Sequence, residues 1–125
     1  MTTDIPISID VDTRFIDEQS SPENSRYAFA YTITISNHGT EAVQLISRHW
    51  LITDGRNQVQ EVRGDGVVGE QPLIQPGTSF RYTSGALLET ATGTMEGSYQ
   101  MVSASGLTFD APIELFSLIH PTALH

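Results

Sequence analysis

Tyr27-Ala28-Phe29-Ala30-Tyr31-Thr32-Ile33-Thr34-Ile35-Ser36 is the stretch that decides the fold. Its odd positions carry three rings and two branched aliphatic chains, and its even positions carry only small or hydroxylated ones. A helix would scatter the five large side chains around its circumference. A strand puts all five on one face, because side chains alternate across the pleat. Aromatic and β-branched residues also favour strands, so pattern and propensity agree on a central strand with a buried face.

On the N-terminal side, Ile5, Ile7, Ile9 and Val11 alternate with Pro6, Ser8 and Asp10, which predicts a second strand. Pro6 assigns it to a sheet edge, since proline cannot donate to a ladder. Residues 17–24 are polar, contain Pro22 and read as a connection. On the C-terminal side, Asn37-His38-Gly39-Thr40 supplies turn chemistry and predicts a hairpin into the apolar run 43–53. In that run Ile46, Arg48, Trp50 and Ile52 share one face, and Val43, Leu45, Ser47, His49 and Leu51 share the other.

Asp54-Gly55-Arg56-Asn57 then turns the chain into 58–63, and 64–69 reads as a glycine-shaped loop. Pro76-Gly77 precedes a strand over 79–83, and Leu87-Leu88 reads as a bend that crosses between sheets. Met95, Gly97, Tyr99 and Met101 form the packing face of the next strand, which a hairpin at Ser105-Gly106 joins to Leu107, Phe109 and Ala111. The run 113–119 is expected to be a bulged edge strand and 120–125 a loose tail. No 12-residue stretch shows a capped helical period. Seven to eight short strands separated by turn residues predict an all-β domain over 1–125. The expected architecture is an immunoglobulin-like or fibronectin type III-like sandwich of two antiparallel sheets.

The chain of 125 residues carries 15 acidic residues against six basic ones, for a formal charge of -9. All six are arginines and they are dispersed, so nucleic acid is not an expected partner. No apolar run approaches the ~20 residues that cross a bilayer, which argues against membrane insertion. The absence of cysteine excludes disulfides and thiolate chemistry and suits a reducing compartment. The first ten residues also lack the pattern of a secretion signal, so a cytoplasmic location is expected.

Gly64-Asp65-Gly66-Val67-Val68-Gly69 satisfies the GxGxxG string of dinucleotide enzymes, which must follow a strand and open a helix. Pro72, Pro76 and Gly77 leave no room for that helix. Two uses of the loop survive. Glycine permits positive φ and tight packing, and successive N–H groups can meet a phosphate, pyrophosphate or nucleotide while Arg48, Arg56 or Arg63 supplies charge. Arg48 and Trp50 on one face form a candidate arginine-over-ring platform. Gln71 adds polar contacts. The candidate binding residues are therefore Arg48, Trp50, Gly64, Gly66, Gly69 and Gln71.

No catalytic residue, metal ligand or cofactor is nominated. His38, His49, His120 and His125 form no HExxH pair, and Glu61, Asp65 and Glu70 do not follow calcium-loop spacing. Ser84-Gly85 lacks a GxSxG setting. A metal-dependent hydrolase is thus the weakest reading, and a non-enzymatic recognition module the preferred one.

Ser47-Arg48-His49-Trp50-Leu51-Ile52-Thr53-Asp54-Gly55, Val67-Val68-Gly69-Glu70-Gln71-Pro72, Pro76-Gly77, Tyr82-Thr83-Ser84-Gly85 and Gly93-Thr94-Met95-Glu96-Gly97-Ser98-Tyr99-Gln100-Met101 occur in this order. In that series the chain resembles the bacterial ApaG family. The resemblance implies a fibronectin type III-like ApaG domain, a module also attached to eukaryotic F-box and polymerase-interacting proteins. Those attachments imply protein interaction. The resemblance also implies an association with cobalt resistance and magnesium efflux, which in a chain without a membrane span runs through a protein partner linked to ion transport. Unpaired strand edges make a homodimer a further expectation.

Overall fold

A computed structural model describes residues 6–121. Among the described residues there are eight strands: β1 (Ile7–Phe15), β2 (Tyr27–Asn37), β3 (Val43–Asp54), β4 (Val59–Asp65), β5 (Leu73–Ile74), β6 (Ser79–Leu88), β7 (Thr92–Ser103) and β8 (Thr108–Ile119). Single 3-10 turns occupy Asp17–Gln19 and Pro22–Asn24. One sheet has the order β1-β2-β6, and the other has the order β4-β3-β7-β8 with β5 added to β3. All pairings are antiparallel. This is the two-sheet sandwich expected from the turn spacing.

β2 is central, as its alternation requires. Phe29, Tyr31, Ile33 and Ile35 face Val43, Leu45, Trp50, Met95, Tyr99, Met101 and Leu118 across the sandwich. Each large apolar side chain so buried contributes roughly 1.5–3 kcal/mol. The opposite face of β2 is covered at its start, where Ile16 packs on Ala28 and Ala30. Alanines fit there because a larger side chain would hold Ile16 off the sheet.

The hairpin expected at 37–40 is not formed: β2 and β3 lie in different sheets, and the segment between them crosses the sandwich. Asn37, 1% exposed, explains the crossing. Its Nδ2 donates to the carbonyls of Glu41 (2.7 Å) and Ile74 (3.0 Å), and its Oδ1 accepts from the Gly39 N–H (2.9 Å). The side chain therefore performs the pairing that a hairpin ladder would have supplied.

β3 departs from strict alternation. Its register against β7 shifts between Leu45 and Ser47, so Val43 and Leu45 face the core before the shift and Trp50 faces it after. A bulge moves the following residues to the other face, which is why neither face of this run reads as polar. Gly64 and Asp65 close β4 and do not belong to the loop. Leu87 and Leu88 end β6, and the crossing to the other sheet follows them. β8 is one strand carrying a register shift opposite Met95 and Gly97, the bulged edge expected of 113–119. His120 is held at the domain surface by edge-on packing against Phe15 and Tyr27 and by its N–H to the Ala91 carbonyl at 2.8 Å. The tail expectation for 122–125, like Ile5 of the first strand, lies outside the described residues.

Candidate functional site

Arg48 on β3 and Gly64 on β4 are direct partners in the ladder. A Cβ on Gly64 would lie 2.8–2.9 Å from the Arg48 guanidinium, so the glycine is the lane along which the arginine runs. Arg48 Nη1 donates to the carbonyls of Asp65 (3.0 Å) and Gly66 (2.8 Å), fastening the chain where β4 leaves the sheet.

Gly66 follows at φ 60°, and a Cβ there would meet the Glu70 carbonyl oxygen at 2.1 Å. Only glycine fits both demands. Val67 and Glu70 exchange two backbone hydrogen bonds of 2.8 and 2.9 Å around Val68 (φ 43°) and Gly69 (φ 80°). Positive φ at both central residues is the signature of a type I′ turn. Val67 is buried and anchors the tip, while Val68 is 54% exposed. A β-branched residue at positive φ is a true backbone outlier, costing roughly 1–3 kcal/mol. Gln71 completes the support, with Nε2 on the Ile46 carbonyl (2.9 Å) and its own carbonyl accepting from Gln44 Nε2 (3.1 Å).

The glycine string is thus a braced hairpin tip. The N–H groups of Gly66, Val67 and Glu70 all bond within the protein, so they are spent as donors for an external anion. Sequence reading singled out the glycines and missed Val68, although a valine occupying the place where Asn-Gly or Asp-Gly is usual was the available signal.

Trp50 corrects the expected platform. It is 2% exposed and packs edge-on against Tyr31, Tyr99 and Phe116 at centroid distances of 5.6, 6.3 and 5.9 Å. The bulge in β3 turns Trp50 into the core, and it offers no surface to a partner. Deeper than Arg48, the hydroxyls of Tyr82 and Tyr99 share a buried hydrogen bond. Burial drives both phenols well above their ordinary range, and the Arg48 charge opposes that rise at each. This tyrosine pair spans the two sheets; from the sequence only Tyr99 reads as inward-facing, and Tyr82 reads only as part of a strand.

Outside the five-stranded sheet, Ser47, His49, Arg63, Asp65, Ser98 and Gln100 border a groove of about 610 Å³. Ser47 Oγ donates to Gln100 Oε1 (2.8 Å), whose Nε2 donates to Ser98 Oγ (2.9 Å). Glu61 Oε2 accepts from Arg63 Nη2 at 2.9 Å and contacts His49 Nε2 at 2.6 Å. The His49 hydrogen bond, followed by the charge of Arg63, holds the Glu61 carboxyl below the usual carboxylate range. Among the described residues, no group of three or more His, Cys, Asp or Glu is placed to hold a metal ion. No helix among them is long and apolar enough to cross a membrane.

Comparison with known proteins gives this geometry a family. Residues 17–103, which include β2 through β7 and the whole braced tip, match the ApaG domain. Protein ApaG of Dechloromonas aromatica is 65% identical over 112 residues, covering 90% of this chain and 88% of that protein. Protein ApaG of Pseudomonas paraeruginosa is 58% identical over 119 residues, covering 95% and 94%. The crystal structure of the ApaA protein from Bordetella pertussis superposes with a TM-score of 0.91 at 50% identity, covering 94% of this chain and 95% of that one. Agreement of family model, sequence and fold over nearly the full length establishes that the chain belongs to the ApaG domain family.

Proposed function

We propose that the chain is a non-enzymatic, cytoplasmic recognition module that binds a protein partner through the tip formed by residues 66–70. The observation that carries this reading is Val68, a branched apolar side chain held at φ 43° and exposed to solvent. An apolar residue in a strained conformation stabilises nothing at that position, whereas a partner pocket would gain from its fixed presentation. Arg48, Gly64, Gly66 and Gln71 act as the brace, and Gly69 completes the turn. The link to cobalt resistance and magnesium efflux then runs through the bound partner, with the chain itself moving no ions.

The test is complementation combined with capture. In a deletion strain, Val68→Gly is expected to fold normally, to recover less partner than the parent chain, and to leave cobalt tolerance uncorrected. Equal partner recovery and full rescue by the glycine variant would overturn the tip as the contact surface.

A further inference from the structure

Among the described residues five strands lie at sheet edges: β1, β6, β4, β8 and the two-residue β5, which is too short to offer a ladder. Edge strands present unpaired N–H and C=O groups, and folds ordinarily blunt them with proline, bulges or isolated charges. β8 carries Pro112 and a bulge, and β1 follows Pro6 and packs along β8 of the other sheet. β6 has Arg81 as its only charged residue and no opposite charge for it. β4 differs. It pairs with β3 without a register shift, contains no proline, and no described strand covers its other side.

The parity of β4 can be read from its flanks. Asp54 N donates to the Gln58 carbonyl and Gly66 N to the Ile46 carbonyl, so the even residues of β4 bond to β3. The groups of Val59, Glu61, Arg63 and Asp65 therefore point outward, although the Asp65 carbonyl is already held by Arg48. An antiparallel second copy must consequently pair odd residues with odd residues. Three central registers satisfy that. Centred on Glu61, the ladder sets Glu61 against Glu61; centred on Arg63, it sets Arg63 against Arg63 and Glu61 against Asp65. Only the register centred on Val62 sets Glu61 against Arg63 in both directions, and like charges directly opposite are destabilising while opposite charges stabilise.

We infer that β4 is a self-complementary edge that pairs with β4 of a second copy about a two-fold axis at Val62. The interface is isologous, as a two-fold requires. Its firm part is the two Glu61–Arg63 pairs, each exchanging backbone hydrogen bonds and each bringing an acid opposite an arginine. Val62 meets its own copy on the inner face. Each copy carries -9 overall, but charge remote from the ladder lies beyond the ~8 Å screening length at physiological ionic strength. The local pattern therefore sets the register. The pairing leaves the two 66–70 tips at opposite ends of a shared ladder, which makes the dimer bivalent.

The experiment is a charge-swap cycle on the full chain, followed by sedimentation equilibrium from micromolar to millimolar protein. The parent chain is expected to dimerise. Glu61→Arg and Arg63→Glu should each weaken dimerisation roughly tenfold or more, because each creates two like-charged oppositions. The double variant Glu61→Arg/Arg63→Glu restores complementarity and should return the dimer. Because the chain has no native cysteine, Val62→Cys reports register directly. Mild oxidation should link two copies of Val62→Cys, and adding Glu61→Arg should suppress the link. Circular dichroism confirms that each variant is folded. A parent chain monomeric across the whole range, a dimer indifferent to the single swaps, or a double variant that fails to recover would each overturn the assignment.

Discussion

Val68 sets two opposing effects against each other at one residue. Replacing it with glycine relieves strain of roughly 1–3 kcal/mol but adds unfolded-chain entropy that costs about 0.5–1 kcal/mol. Strain is the larger quantity, so Val68→Gly should raise stability by about 1 kcal/mol, seen as a higher urea midpoint with an unchanged slope. A lower midpoint would show that the valine packs and would weaken its reading as a displayed contact. Residue-level reading from sequence succeeded where one residue type permits one geometry, as at Gly66. It failed at Trp50 because the face a side chain occupies depends on every bulge before it, and the shift at Leu45/Ser47 is a property of the β3–β7 pairing. Nothing in the local residues 43–53 announces it.

Elements were more legible than their connections. Strand period is written within a few residues, so β2, β7 and the β7–β8 hairpin follow from local alternation. Whether two successive strands share a sheet depends on what the linking residues bond to, and Asn37 bonds to Ile74, far away in sequence. The same dependence makes Asn37 a sensitive test of the crossing. Asn37→Ala removes the donor from the Glu41 and Ile74 carbonyls and should cost about 2–3 kcal/mol, since a buried acceptor is left unpaired. Asn37→Asp keeps the acceptor for the Gly39 N–H but aims a carboxyl at two carbonyls. It should be at least as damaging near neutral pH. Urea unfolding of both variants checks the order, and an aspartate variant more stable than the alanine one would show that the Gly39 contact dominates. The candidate site followed the same rule: its glycines were visible in the string, while the Arg48 brace and the Tyr82–Tyr99 pair required the two sheets to be brought together.

For the whole molecule, the inter-sheet tyrosine pair sets an alkaline limit. Both phenols have folded pKa values raised by burial, above the value near 10 that they take when unfolded. Below that pH they are neutral in both states, so their contribution to stability is fully present. Above it the unfolded chain releases protons that the folded chain retains, and stability falls by about 1.4 kcal/mol per pH unit for each phenol. Two phenols remove nearly 3 kcal/mol per unit, enough to consume a typical 5–15 kcal/mol within a few units. General repulsion in a chain already at -9 acts in the same direction, but it is screened by salt, whereas buried phenols are not. Replacing both partners with phenylalanine leaves no hydroxyl unpaired and should be nearly neutral at pH 7, whereas either single substitution strands a buried hydroxyl and should cost about 1–3 kcal/mol. The double variant should then unfold at higher pH than the parent in both low and high salt, followed by far-ultraviolet circular dichroism alongside phenolate absorbance. In the parent, the phenolate signal from this pair should rise only with unfolding. Coincident alkaline midpoints for parent and double variant would assign the limit to surface charge, and a phenolate signal preceding unfolding would place the pair within reach of water.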